Sequence, residues 1–506
     1  MLPQNAETWL HLTPQDWSIL APALTLSVGA LLALAADLFA PTSMRAGATR
    51  LLSLLALGVA ILLTVYQYIP ATNKAAQIVT QMGPSLRDVW SFRMETVIGS
   101  LMIQVLTLLT LIGSGSWLTR EDDPHHGEFH ILCLMFAIGG ILLVSAKHLM
   151  LAFVGLELLS ISLYVLVAIR RNRYQSVEAG LKYFLLGAFA GAIFLYGTAL
   201  LYAGNGSLSL LGIESVNRPG LPRPEGLAAL GGALLFVALF FKASVVPFHM
   251  WTPDVYQGAP TPITALMSTG TKVAAFLLLL AAAPLIPREL LVALPTITIL
   301  TIVVGNLGAL VQGDLKRLIA YSGIAHAGYL MIAFSALCIG TGPQVAAHSV
   351  RAIVFYLAAY GVTNLAALFV VAQLERRDPS LGTLNGIKGL ARRHPSSAVV
   401  LTIAMLSLAG IPPTIGFWGK YLVLAAALHT ELYVLTTVGL LFSVIGLYYY
   451  LRVVVNAWFL PGEGDDTALE PTDLATKVTL ALTTAAIVIV GIVPSLLLNT
   501  LVHVKL

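Results

Sequence analysis

The chain has 506 residues, of which 58% are hydrophobic and only 10% are charged, with a formal net charge of +4. Because a soluble domain carries about 25% charged residues, this composition excludes an ordinary soluble enzyme and predicts a membrane protein with many spans. The small, scattered net charge does not indicate nucleic-acid binding, and Cys133 and Cys338 lie in apolar runs without metal-ligand spacing, so we expect no metal site.

Apolar runs follow one another along the whole chain. A membrane-spanning helix needs about 20 mostly apolar residues, and backbone groups in lipid must be satisfied within the segment. The runs are too long and too continuous for barrel strands, so we predict helices. In chain order, fourteen spans are predicted at residues 17–39, 50–69, 96–118, 129–146, 149–169, 179–203, 227–248, 262–282, 290–312, 316–338, 346–373, 397–428, 432–457 and 474–500.

The basic residues of the connections predict an orientation. An even number of spans places both termini on the same side of the membrane, and Lys and Arg favour the cytoplasmic loops. More basic residues fall on the cytoplasmic side if both termini face outward. We therefore predict termini on the outer side of the membrane.

Five charged residues remain inside the predicted spans once those in connections and at helix ends are set aside. A lysine at a helix centre costs about 2.5–3.5 kcal/mol on insertion scales, so each is expected to have a use. Glu157, Lys242, Lys272 and Lys420 are deep in their spans, whereas Lys182 is only a few residues inside and could reach the headgroups. The structural alternative for all five is an ion pair that only holds helices together.

Proline interrupts two of the predicted spans. Pro247 lies in the seventh, and Pro412 and Pro413 lie in the twelfth. Interior proline removes a helical hydrogen bond, and the freed backbone must face protein or water. If spans 4–8 and 9–13 form two sets of five, the broken helix is the fourth member of each set. An odd number of helices inverts the second set, which is typical of transporters with a path at the midplane.

The predicted fold is therefore an all-α polytopic membrane protein with inverted five-helix repeats and broken helices 7 and 12. Two unrelated proline kinks are the alternative. The predicted parts are an N-terminal three-helix segment (1–128), a first repeat (129–282), a second, inverted repeat (290–457) and a C-terminal helix (474–506).

The buried charges indicate proton transfer. A buried lysine or glutamate can change its protonation state when a neighbouring charge arrives or leaves. Lysine repels cations and oxygen ligands are scarce, so a sodium site is disfavoured. His249, His326 and His348 could join such a relay, although a single histidine beside a helix end is more often structural.

Three segments resemble the antiporter-like subunits of respiratory complex I and its relatives. They are KASVVPFHMWTPDVYQGAPTPITALMSTGTK from Lys242 to Lys272, LKRLIAYSGIAHAGY from Leu315 to Tyr329, and AGIPPTIGFWGK ending at Lys420. The similarity extends from about residue 90 to 460. The loop looks most like one bacterial subunit type, although the family usually has Glu at the position of Gln257.

The resemblance implies a proton-pumping subunit in the membrane arm of NADH:quinone oxidoreductase. With the orientation predicted from the basic residues, the chain would lie in the bacterial inner membrane with both termini in the periplasm. The resemblance also implies that Glu157 pairs with Lys242 and that Lys272 and Lys420 continue the proton path. Lys182 matches a lysine in the sixth helix of one subunit type of the family. NADH, flavin mononucleotide, iron–sulfur clusters and quinone would bind other subunits, and no cofactor would bind this chain. Membrane lipids, the antiporter-like subunit M and the small subunit K are the implied neighbours.

Three other interpretations remain open at the level of sequence. A multisubunit cation/proton antiporter and an energy-converting hydrogenase contain related subunits, and a passive scaffold would use the charges only to hold helices. The loop sequence argues against the antiporter. The chain lacks the long C-terminal helix of subunit L, and Lys420 stands where subunit M usually has Glu.

Overall fold

A computed structural model describes residues 12–68, 82–118, 126–210, 224–462 and 473–501. These residues form helices joined by short connections, together with three isolated β-bridges. The all-α prediction is confirmed for this part of the chain. Both termini lie outside the described residues, so the predicted orientation of the termini stays a prediction.

The fourteen predicted spans correspond to fourteen helical segments. Among the described residues, 13 helices are long and apolar enough to cross a membrane, and two shorter apolar helices make up the twelfth span. The spans are α1 (Pro14–Phe39), α2 (Thr42–Tyr68), α3 (Met94–Gly113), α4 (His126–Val144), α5 (Leu149–Val167), α6 (Tyr174–Asn205), α7a (Gly226–Ala243), α7b (Trp251–Gly258), α8 (Thr261–Ala282), α9 (Arg288–Leu310), α10 (Leu315–Ile339), α11 (Pro343–Arg377), α12a (Pro395–Ala409), α12b (Ile415–His429), α13 (Tyr433–Trp458) and α14 (Leu474–Ile492).

The seventh and twelfth spans are each divided in two, as predicted. The residues that directly follow α7a and α12a are Ser244 and Gly410, and both adopt left-handed backbone conformations. Pro247 lacks the N–H that a continuing helix would donate to the Ala243 carbonyl, so α7a ends at Ala243 rather than at residue 248. The breaks fall in the fourth helix of α4–α8 and of α9–α13. The proposed domain boundaries stay a prediction.

Several helix ends differ from the predicted spans; α2, for example, begins at Thr42 rather than at residue 50. The helix α11 continues to Arg377 rather than residue 373, so Glu375 belongs to its last turn. The helix α14 ends at Ile492, and a separate short helix covers Ser495–Leu501. Pro494 lacks the backbone N–H that a continuous helix needs, which explains the division of the predicted span 474–500.

Three helices form the interior of the bundle. The helix α8 is buried along its apolar length, and α10 and α11 are nearly so. The helix α8 packs against α3 and α11, while α12b packs against α10 and α11. In contrast, α1, α2, α6 and α13 expose much of their apolar surface, as lipid-facing helices do. The polar residues of α8, α10 and α11 therefore lie at the centre of the protein.

Candidate functional site

Lys242 lies in the last turn of α7a and is surrounded by hydroxyl and aromatic groups. Its side chain is buried, with 4% of the residue exposed. The ammonium donates hydrogen bonds to Ser160 Oγ at 2.7 Å and to Tyr183 Oη at 3.1 Å. It also lies 5.1 Å from the ring centre of Tyr183 and 5.9 Å from that of Tyr164. Helices α5 and α6 thus supply neutral partners that stabilise the buried positive charge.

Glu157 lies one turn before Ser160 on α5 but does not form a direct ion pair with Lys242. Glu157 is half-buried, and its Oε1 has no hydrogen-bond partner among the described residues. A Cβ at Gly191 of α6 would lie 2.5 Å from this oxygen, so the glycine makes room for the carboxylate. A water-bridged Glu157–Lys242 pair stays a prediction.

Lys272 lies at the centre of α8 with 1% of the residue exposed. Among the described residues its ammonium has no hydrogen-bond partner, and neither has the hydroxyl of Tyr360. The ammonium lies 5.7 Å from the ring centre of Tyr360. Gly323 of α10 faces both groups, because a Cβ there would lie 3.0 Å from Tyr360 Oη and 3.6 Å from Lys272 Nζ. Two unpaired polar groups therefore share one small interior space.

His326 of α10 connects this space to the far half of the bundle. Its Nδ1 lies 2.7 Å from Tyr356 Oη, and its Nε2 lies 3.0 Å from Tyr450 Oη. Its ring centre is 5.0 Å from that of Tyr360. Because hydroxyls both donate and accept, the imidazole can carry its proton on either nitrogen without losing a partner. This arrangement suits a group that passes a proton on.

Lys420 of α12b occupies the break in its own span. Its ammonium donates to the carbonyl of Ala409, the last residue of α12a, at 2.8 Å, and to Ser443 Oγ at 3.0 Å. It lies 5.0 Å from the ring centre of Tyr329. Breaking the helix frees a carbonyl that would otherwise accept an intrahelical bond, and the lysine uses it. The break therefore stabilises a buried charge.

Lys182 lies apart from the central line, which is formed by Lys242, Lys272, His326 and Lys420. Its side chain is 43% exposed and pairs with Glu178 at 2.9 Å and Asp254 at 3.1 Å. Asp254 of α7b also pairs with Arg317 of α10 at 2.7 Å. A role for Lys182 in proton transfer stays a prediction.

A polar cleft of about 460 Å³ surrounds Lys182 at one end of the bundle. The connections between spans 5 and 6, 7 and 8, 9 and 10, and 11 and 12 meet there, as alternating spans require. Lys316 pairs with Glu375 at 3.6 Å beside the cleft, and Thr261 also donates to Glu375. The charged residues lining the cleft are Arg170, Arg173, Glu178, Lys182, Asp254, Asp314, Lys316, Glu375 and Arg376.

The sequence of the chain matches a known family. Residues 146–446 match the family described as NADH:quinone oxidoreductase/Mrp antiporter, TM. The chain belongs to this family. A relative from Myxococcus xanthus is named NADH-quinone oxidoreductase subunit N. It is 38% identical over an alignment 514 residues long, which covers 96% of this chain and 96% of the relative. The predicted resemblance to complex I antiporter-like subunits is confirmed.

Solved structures share the architecture. A chain of respiratory complex I from Thermus thermophilus with bound aureothin superposes with a TM-score of 0.78 at 34% identity, covering 95% of this chain and 99% of that chain. A chain of the Mrp complex from Dietzia sp. superposes with a TM-score of 0.76, covering 96% of both chains. At 20% identity this second likeness shows the shared fold alone.

The remaining predicted residues lie outside the central line. His249 and Pro247 are in the α7 break, and His249 Nδ1 is buried with no hydrogen-bond partner among the described residues. Gln257, where the family usually has Glu, accepts a hydrogen bond from Arg317 at 3.1 Å. His348 is exposed and donates to the Gln344 carbonyl. Of the three candidate histidines, only His326 lies among the buried lysines.

Sequence reasoning missed the hydroxyl groups of the site. Tyr183, Tyr356, Tyr360 and Tyr450 look like ordinary aromatic core residues in an apolar helix. A signal was present, because Tyr356, Tyr360 and Asn364 recur every four residues of α11 and so share one helical face. A polar stripe of this spacing inside an otherwise apolar span indicates that the side chains line a polar path through the bundle rather than pack in an apolar core.

Proposed function

We propose that this chain is a proton-translocating membrane-arm subunit of a bacterial NADH:quinone oxidoreductase. The observation that carries the proposal is the central line of Lys242, Lys272, His326 and Lys420, which lies in the interior of the helix bundle. Relatives named NADH-quinone oxidoreductase subunit N support the type of complex. Quinone reduction in other subunits would provide the energy, and those subunits would hold NADH, flavin, iron–sulfur clusters and quinone.

The first part of the relay would use Glu157 and Lys242. The protonated lysine donates hydrogen bonds to Ser160 and Tyr183, and in this proposal the negative charge of Glu157 also stabilises it. Loss or neutralisation of the Glu157 charge removes one of these stabilising contributions, so the lysine releases its proton more readily. Glu157 therefore sets when Lys242 gives up its proton.

The second part would run from Lys272 to Lys420. Lys272 and Tyr360 share a polar space, and His326 follows at aromatic contact with Tyr360. A proton arriving at one of these bases disfavours a second proton on its neighbours, because like charges repel in a low dielectric. Such repulsion moves the charge forward along the line.

The polar cleft would supply protons from the cytoplasm, with both termini in the periplasm. Subunits M and K are the neighbours that the family arrangement implies. In this proposal the chain contributes no redox chemistry and works only within the assembled complex. A cation/proton antiporter would need oxygen ligands for its cation, whereas the central line consists of lysines and one histidine.

The proposal is tested by Lys242→Ala and Lys242→Arg, with the exposed Lys477→Ala as a control. We expect the alanine variant to assemble but to lose coupled proton pumping. We expect arginine to restore pumping poorly, because a guanidinium stays protonated and cannot release its proton. Proton pumping and quinone reduction are measured in membranes and normalised to the assembled complex.

A scaffold role for Lys242 predicts the opposite pattern. Arginine preserves the positive charge and would restore a purely structural lysine. Removing one partner of a buried charge pair costs about 3–5 kcal/mol, so alanine would then reduce the amount of assembled complex. Wild-type pumping by Lys242→Arg would overturn the relay proposal.

A further inference from the structure

Two exposed histidines meet on the face opposite the polar cleft. His348 lies in the second turn of α11, and His429 is the last residue of α12b. Their ring centres are 5.4 Å apart and their planes are inclined by 39°. No part of the proposed proton relay uses either residue, so their juxtaposition needs a separate explanation.

The separation of the rings fits two ligands of one metal ion. A zinc–nitrogen bond is about 2.0–2.1 Å long, which puts the ring centre roughly 3.2 Å from the metal. Two imidazoles at a near-tetrahedral or slightly wider angle then have ring centres about 5–5.5 Å apart. The 5.4 Å between His348 and His429 lies in this range.

The hydrogen bond of His348 prepares its second nitrogen for a metal. Its Nδ1 lies 2.7 Å from the backbone carbonyl of Gln344, one turn earlier on α11. A carbonyl oxygen can only accept, so Nδ1 carries the proton and Nε2 keeps its lone pair. Metal-binding histidines typically donate their other ring N–H to such a carbonyl, which fixes the orientation of the ring.

We propose that His348 and His429 bind a divalent transition-metal ion such as Zn²⁺, which bridges α11 and α12b. Imidazole nitrogen favours zinc, copper or nickel over magnesium and calcium. Among the described residues no group of three or more His, Cys, Asp or Glu gathers around an ion, so water completes the coordination. With two protein ligands the ion exchanges with the medium and is not a structural zinc of the fold.

Metal binding at this position would restrain the proton path. The helix α11 carries Tyr356 and Tyr360, and α12b carries Lys420. An ion that ties the ends of these helices together opposes any movement between the hydroxyls and the lysine. Zinc is therefore expected to slow pumping through the same two histidines.

The test compares zinc binding by the purified complex with and without these histidines. Radioactive Zn²⁺ retained at equilibrium is measured for wild type, His348→Gln, His429→Gln and the control His148→Gln. His148 lies in a connection on the same face by the alternation of spans, and its Nδ1 accepts a hydrogen bond from the Met150 backbone. We expect each variant of the pair to bind one Zn²⁺ fewer per complex than wild type and the control.

Two further measurements separate ligation from a change in folding. His348→Cys should retain the zinc that His348→Gln loses, because a thiolate is also a zinc ligand. Zinc inhibition of pumping should be weaker in His429→Gln than in the control. Equal zinc binding by wild type and both glutamine variants would overturn the site, and equal inhibition would overturn its link to pumping.

Discussion

The three buried lysines of the central line stabilise their charges in different ways. Lys242 donates to two hydroxyl groups, and Lys420 donates to a hydroxyl and to the carbonyl freed by its own helix break. Lys272 has an aromatic ring nearby and no hydrogen-bond partner among the described residues. A buried ammonium without partners is costly, so Lys272 depends most on water and on Tyr360.

This difference predicts that the space between Lys272, Tyr360 and Gly323 takes part in proton transfer. Tyr360→Phe keeps the ring and removes only the hydroxyl, and Gly323→Ala places a methyl group 3.0 Å from Tyr360 Oη. We expect both variants to assemble normally and to pump several-fold fewer protons per quinone reduced, because the polar connection from Lys272 to His326 is weakened. The ratio of pumped protons to reduced quinone is measured in proteoliposomes.

Gly361→Ala is the matched control for this prediction. Gly361 follows Tyr360 directly on α11 and is also buried, but a Cβ there would make only ordinary contacts with Leu106, at 3.4 and 3.5 Å. Its variant should pump as wild type does. If Tyr360→Phe and Gly323→Ala also keep the wild-type ratio, the space between Lys272 and His326 has no part in proton transfer.

At the residue scale, the sequence predicted the charges better than their partners. A lysine inside an apolar span is conspicuous, so Lys242, Lys272 and Lys420 were identified directly. Ser160 and Tyr183 gave no such signal, because which hydroxyl faces a lysine depends on the rotation and packing of α5 and α6. The same limit applies to Glu157, which lies near Lys242 but does not bond to it directly.

At the scale of elements, each break begins with a residue in left-handed backbone, Ser244 after α7a and Gly410 after α12a. Gly410 has φ of +83° at the end of α12a. A Cβ on Gly410 would lie 2.8 Å from Cδ of Lys420, so the absence of a side chain also leaves room for the lysine stem. The break therefore depends on this glycine for its backbone conformation and for the position of the charge.

Gly410→Ala should consequently destabilise the protein by more than the cost of placing an alanine in left-handed backbone. A non-glycine residue in this conformation costs about 1–2 kcal/mol. Gly206→Ala at φ +67° should show this cost in isolation, since no atom of the described residues lies within 4 Å of its Cβ position. We expect Gly410→Ala to lower the melting temperature further and to reduce pumping by displacing Lys420. Melting of the purified complex and proton pumping are compared for the two variants.

Equal effects of the two substitutions would contradict this account of the break. If Gly410→Ala matched Gly206→Ala in melting temperature and left pumping unchanged, the Lys420 stem would not depend on the missing Cβ. The comparison is direct because both glycines follow the last residue of a helix and both have positive φ.

The existence of the spans was predictable, whereas some of their ends were not. Hydropathy and length determine a membrane helix, so all fourteen segments were identified in order. The separate helix α7b is short and polar, with Asp254 and Gln257 in it, and its sequence resembles a loop. Its helical form depends on contacts with α6 and α10, which no local pattern reveals.

At the scale of the whole molecule, the central line lies between two different faces. The polar cleft opens on one face, and the connections at His148, Thr341 and Glu431 belong to the other by the alternation of spans. The positive charges around the cleft favour the cytoplasmic side, since Lys and Arg are enriched in cytoplasmic connections. The direction of proton movement depends on this orientation.

Cysteine labelling tests the orientation with little background, because Cys133 and Cys338 are both buried. Arg376→Cys places a thiol in the cleft, and Thr341→Cys places one in the exposed connection between α10 and α11. With the cleft toward the cytoplasm, a membrane-impermeant maleimide should label Thr341→Cys in right-side-out vesicles and Arg376→Cys only in inverted ones. The reverse pattern would place the cleft in the periplasm, where it could not collect the cytoplasmic protons that a pump in this membrane must take up.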